Sequence, residues 1–165
     1  MNTAAPPSMP TARPIDRWFA SYSADHRNRT NQLIHVVAVP AIAWSVIALL
    51  WCIPSPGTLF RPGLWAGLAM FAAWMFYYRA SKRLGLGMLA VFVVLGWLTR
   101  WLHDGVGSAN LLLIAGTVFV VAWIGQFVGH RIEGRKPSFL TDLTYLLIGP
   151  AWVLAKLYRK LRWTY

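Results

Sequence analysis

Residues 34–53 read IHVVAVPAIAWSVIALLWCI, twenty positions without an Asp, Glu, Lys or Arg. A helix of about 20 residues spans the roughly 30 Å of hydrocarbon in a bilayer. Three further apolar runs follow at 63–78, 84–102 and 109–129, the first of them marginal in length. Pro54 and Pro56 end the opening run, and Arg79, Lys82 and Arg83 end the second. In lipid, such segments must satisfy their backbone polar groups internally, which helices do. The pattern predicts an all-α, polytopic membrane bundle of about four transmembrane helices.

Composition agrees. The chain is 57% hydrophobic and 13% charged, with ten tryptophans. Its net charge of +11 is of the size that nucleic-acid-binding proteins carry. The basic residues, however, stand in short clusters between apolar runs, which is how membrane proteins carry charge in their loops. No nucleic-acid partner is expected. With four crossings, one face holds Arg13, Arg17, Arg27, Arg29, Arg79, Lys82, Arg83, Arg131, Arg135, Lys136, Lys156, Arg159, Lys160 and Arg162, which is 14 of the 16 basic residues. Arg61 and Arg100 fall on the other. This asymmetry puts both termini in the cytoplasm, whether the membrane is a bacterial inner membrane or the endoplasmic reticulum. The lone Cys52 cannot form an intramolecular disulfide.

Residues 1–14, rich in proline and lacking an apolar core, read as a disordered lead without signal-peptide character. Residues 15–165 read as one membrane-embedded domain. Pro14 opens a short helix placing Trp18, Phe19 and Tyr22 on one face, an interfacial element. A fifth run, 143–155, is too short to span and contains Gly149-Pro150. It is expected to be a short re-entrant or interfacial helix leading into a basic tail.

An even number of crossings returns the chain to its starting face. His26 precedes the first run, His35 stands at its start and His130 follows the last, so all three are expected at one end. Imidazoles gathered near a carboxylate are the material of a metal site. His26 and His35 are nine residues apart, about 13 Å along a continuous helix, so joint ligation requires a bend around Asn28–Asn31. Thr30 or Asn31 would cap the helix that follows. Glu133 lies i+3 from His130, a spacing that di-iron bundles use for carboxylate and imidazole. Gln126, i−4 from His130, and Asn31 would orient the ligands from behind. His103 falls at the opposite end, beside Asp104. The apolar runs contain almost no ionisable group beyond Arg100, which argues against a transporter.

Two blocks carry a family resemblance. Tyr22, His26, Asn28, Asn31, Ile34, His35 and Pro40 match the pattern Y-x-x-x-H-x-N-P-x-N-x-x-I-H-x-x-G-x-P. Gln126, Phe127, Gly129, His130, Glu133, Arg135 and Pro137 match Q-F-x-G-H-x-x-E-x-R-x-P. The chain resembles the Mpo-like group of small multi-span proteins, typified by a fungal 2-hydroxy fatty acid dioxygenase. It departs from the pattern at Arg29, Ala38, the 137–142 stretch and Lys156. The resemblance implies an iron(II)-dependent oxidoreductase of fatty acid α-oxidation, acting in lipid metabolism and sphingoid-base degradation. A 2-hydroxy fatty acid and molecular oxygen would give the acid one carbon shorter. By residue match it implies His26, His35, His130 and Glu133 as iron ligands. Arg27, Arg131 or Arg135 would pair with the substrate carboxylate. The alternative is a non-enzymatic membrane scaffold or lipid-binding protein, which needs no iron.

Overall fold

The computed structural model describes residues 13–57, 60–134 and 139–164. Five helices follow one another: α1 (Pro14–Asp25), α2 (Arg29–Trp51), α3 (Leu64–Ala80), α4 (Lys82–Glu133) and α5 (Phe139–Lys160). No strand occurs among the described residues.

Pro14 opens α1, where its missing N–H costs no hydrogen bond. Ile15, Phe19 and Tyr22 recur at helical spacing and are buried. The buried stripe therefore starts at Ile15; Trp18 is only half-buried and stacks on Phe76 at 5.2 Å. The cap of α2 also differs from expectation. It is Asn28, whose side-chain oxygen accepts from the backbone N–H of Thr30 (2.8 Å) and Asn31 (3.3 Å). Asn28 has the extended backbone of an N-cap, and its amide reaches the second and third helical residues.

The runs expected as two spans, 84–102 and 109–129, belong to one element of 52 residues, α4. Straight, it would extend about 78 Å. It is broken at Gly107, with φ 80° and ψ 165°, a conformation essentially restricted to glycine. Packing shows what the break does. Along the first half, the stretch 88–95 lies beside Pro40 and Ala43, and Trp97 and Arg100 lie beside Trp51. Along the second half, Leu111 and Ala115 pack on Ala48, and Ala122 packs on Ala38 and Ile42. The first half runs parallel to α2 and the second antiparallel, so the chain doubles back at Gly107.

Helix α3 is antiparallel to the first half of α4, with Tyr78 against Gly85 and Met70 against Gly96. One end of the bundle thus gathers α1, the start of α2 and the end of α4. Helix α5 runs 22 residues, longer than the expected 143–155, and continues through Pro150. Ile148, Ala151, Trp152 and Ala155 are buried while Leu157, Arg159 and Lys160 are exposed. An amphipathic helix of this kind ends later than its apolar run suggests.

Among the described residues, α2 and α4 are long and apolar enough to cross a membrane. Large apolar side chains face outward from both, including Val37 (71% exposed), Trp97 (67%) and Leu113 (70%).

Candidate metal centre

The centre is assembled from three helix ends. Helix α1 stops at Asp25, and His26 leaves it with φ −130° and ψ 72°. That turn, followed by the Asn28 cap, is the bend that two histidines nine residues apart require. It brings the His26 and His35 rings to 4.4 Å between centroids. His130, in the last turn of α4, completes the group at 5.5 Å from His26 and 5.0 Å from His35. All three are buried, and one nitrogen from each lies within 4.8 Å of the others.

The hydrogen bonds determine which nitrogens are offered. His26 Nδ1 lies 2.7 Å from the Tyr22 carbonyl, and His35 Nδ1 lies 3.0 Å from the Asn31 carbonyl. A carbonyl can only accept, so Nδ1 carries the proton in both rings and Nε2 keeps its lone pair. This is how metal-binding histidines are commonly oriented. Among the described residues, two buried polar atoms here make no hydrogen bond: Nε2 of His35 and Oδ1 of Asn31. Leaving buried acceptors unsatisfied costs about 1–3 kcal/mol each. A bound cation would offset that cost at the imidazole. The three nitrogen donors suit a transition metal with open coordination positions.

The space between the rings is small, a cavity of about 20 Å³. Tyr22, Val39, Ile42, Trp123, Gln126 and Leu146 line it together with the histidines. Gln126 thus reaches the site, one helical turn from His130. Tyr22 stacks on His26 at 4.1 Å, and Trp152 lies beyond it at 4.9 Å.

Glu133, expected as a fourth ligand, stands elsewhere. Its carboxylate accepts from the backbone N–H of Arg27 (2.8 Å), from that of Asn28 (3.0 Å) and from the Asn31 amide (2.8 Å). These donors cluster at the positive N-terminus of α2, where a carboxylate is stabilised. Glu133 therefore ties the end of α4 to the start of α2, behind the histidines. Asn31 is the link, since it donates to Glu133 and its carbonyl receives the His35 proton.

That link needs close helix approach. A Cβ on Gly129 would collide with Oδ1 of Asn31 and come to 3.3 Å from Cε1 of His35. Glycine at 129 is a steric requirement of the site.

Two of the three arginines expected to pair with the carboxylate, Arg27 and Arg131, are at this end but outside the cavity. Arg27 and Arg131 are exposed, and Arg135 lies outside the described residues. Lys156 was missed as a contributor. Its Nζ donates to Gln32 Oε1 (2.8 Å) and lies 4.0 Å over the Trp152 ring, and Gln32 donates to the His26 carbonyl (2.7 Å). Burial and then Arg159 pull the Lys156 ammonium pKa below the usual lysine value. Tyr22 could have been found from its i−4 position to His26. Nothing local marks Gln32 or Lys156, which meet across 124 residues. His103 is remote, bonded to Asp104 (3.1 Å) and Ser108 (2.9 Å) beside the Gly107 turn.

A family model described as 2-hydroxy-palmitic acid dioxygenase Mpo1-like matches residues 12–161. No curated protein and no solved structure matches the chain. The match covers nearly the whole sequence, and the chain belongs to the Mpo1-like family.

Proposed function

We propose that this member of the Mpo1-like family is a membrane-embedded, iron(II)-dependent dioxygenase that shortens a 2-hydroxy fatty acid by one carbon. The observation that carries the reading is the convergence of three buried imidazoles, two with their tautomers set by backbone carbonyls. Imidazole donors also suit zinc and copper. Zinc is disfavoured because the family description names a dioxygenase, chemistry that a redox-active metal serves, and iron rather than copper is what the family resemblance implies. When bound, iron(II) would supply activation of dioxygen and a point of chelation for the hydroxyl and carboxylate of the substrate.

The overall reaction is R–CH(OH)–COOH + O₂ → R–COOH + CO₂ + H₂O. Four electrons leave the two substrate carbons and reduce dioxygen fully, so no separate reductant is required. The chain's own part is positional. His26, His35 and His130 would hold the metal, with Gln126 beside them. Asn31 and Glu133 keep the imidazoles in place, and the surrounding apolar side chains exclude water. Arg27 and Arg131 would draw the substrate carboxylate toward this end.

The bilayer reading follows from the outward apolar surface and the doubled-back α4. Helices α2, α3 and the two halves of α4 would make four crossings, with α1 and α5 at the interface. The histidines would then sit on the basic, cytoplasmic face.

The test is purification in mild detergent, iron loading, and addition of oxygen with 2-hydroxypalmitate. One iron per chain and release of the acid one carbon shorter are expected. His130→Ala should lose both while keeping its helix content. Unchanged turnover in that variant would sink the metal reading. A folded protein that takes up no iron would indicate the scaffold.

A further inference from the structure

The histidine cavity holds about one water-sized group, at about 20 Å³. A hydrocarbon tail attached to a molecule reacting there must lie elsewhere. A second cavity, of about 230 Å³, sits between α2, the first half of α4 and α5. Pro40, Ala43, Met88, Phe92, Pro150 and Leu154 are among its lining residues, and no ionisable or amide side chain is.

The two cavities are neighbours through consecutive residues. Val39 lines the first and Pro40 the second; Gly149 precedes Pro150, which also lines the second. Val39 and Gly149, the residues preceding Pro40 and Pro150, pack closely against each other. A Cβ at 149 would lie 3.2 Å from Val39 Cγ1 and 3.5 Å from the Tyr22 hydroxyl oxygen, so this packing has no slack.

We infer that the apolar cavity bounded by Ala43, Met88, Phe92 and Leu154 is the acyl-tail site, entered from the histidines past Val39 and Gly149. The inference rests on the 2-hydroxy fatty acid reading above and names the residues that would select chain length. Proximity to the histidine cavity, one residue away along both α2 and α5, favours the substrate tail over a chain of a membrane lipid.

The experiment uses the full chain in detergent and a 2-hydroxy fatty acid carrying a photoactivatable diazirine near its tail end. Labelled residues are mapped by mass spectrometry, with 2-hydroxypalmitate, 2-hydroxyoctanoate and a phospholipid as competitors. Labelling within 40–43, 88–95 or 150–157, displaced by the long 2-hydroxy acid ahead of the phospholipid, is expected. Ala43→Phe would exclude two or three methylenes, each worth about fourfold in affinity. The long acid should then bind on the order of tenfold to sixtyfold more weakly, and the octanoate within about twofold of the original chain. Leu157→Trp, at a position 49% exposed, gives the same test without altering buried packing. Helix content and melting temperature check both variants.

Labelling elsewhere, or affinities unmoved in a folded variant, would overturn the tail site. Displacement by phospholipid alone would overturn it too, assigning the cavity to membrane lipid. Turnover is scored separately. Labelling as expected without turnover of iron-loaded protein would remove the dioxygenase and keep the tail site; turnover with labelling elsewhere would do the reverse.

Discussion

Replacing Gly129 with alanine tests whether close approach of α4 to α2 builds the candidate metal centre. In an ordinary helix interior the change would stabilise, by about 1 kcal/mol. Here the new Cβ would overlap Oδ1 of Asn31 and come to 3.3 Å from His35 Cε1. Either Asn31 rotates and loses its 2.8 Å bond to Glu133, or the helices part. Losing a hydrogen bond to a charged group costs about 1.5–3 kcal/mol, and overpacking costs about 1–3 kcal/mol. After the propensity gain, a net destabilisation of about 1–2 kcal/mol is expected. Because the backbone carbonyl of Asn31 accepts from His35 Nδ1, displacing this residue should lower iron affinity about 10- to 100-fold, as for lost ligand-orienting contacts. The assay pairs thermal unfolding in detergent with iron titration against a competing chelator. Gly125→Ala is the internal control, since its Cβ would meet only Ile34 Cγ2 at 3.8 Å. If both variants melt alike and bind iron alike, the steric argument is wrong.

Glu133→Gln separates positioning from ligation. It keeps one carbonyl oxygen at the start of α2 and should lower stability by about 1–2 kcal/mol. Saturating iron should still load one ion per chain; loss of that stoichiometry would make Glu133 a ligand. Gly107→Ala forces an L side chain into glycine-only torsions and should destabilise the fold by about 1–3 kcal/mol. Iron affinity of the folded fraction should not change, since nothing lies within 4 Å of a Cβ there. His103→Ala should leave iron binding intact, and a loss would place a histidine from the far end at the site.

The helices and the three histidines were legible because both depend on short-range patterns. Apolar runs and their basic borders carry the expectation that His26, His35 and His130 share one end, and the fold brings the three together. The split between helix and break was harder. Periodicity alone marks 84–102 and 109–129 as separate, yet the interruption is one glycine's torsion, and polar His103 and Asp104 remain helical. The end of α5 was missed because its outer face turns polar while its inner face stays buried.

Residue order alone carries the inventory and its sorting: an all-helical chain, apolar enough for lipid, with three imidazoles expected at one end. Tertiary structure decided what each group does there. Glu133 and His130 are three residues apart, and that spacing is equally good for ligation or for capping another helix. Only the position of α2, set by the Gly129 approach and the turn at Gly107, puts two backbone N–H groups and an amide in front of the carboxylate. The Tyr22 and Asn31 carbonyls that set the imidazole protons are local, each four residues before its histidine, whereas the long-range packing encloses the two cavities. Such placements depend on contacts between residues more than a hundred positions apart, which local chemistry does not encode.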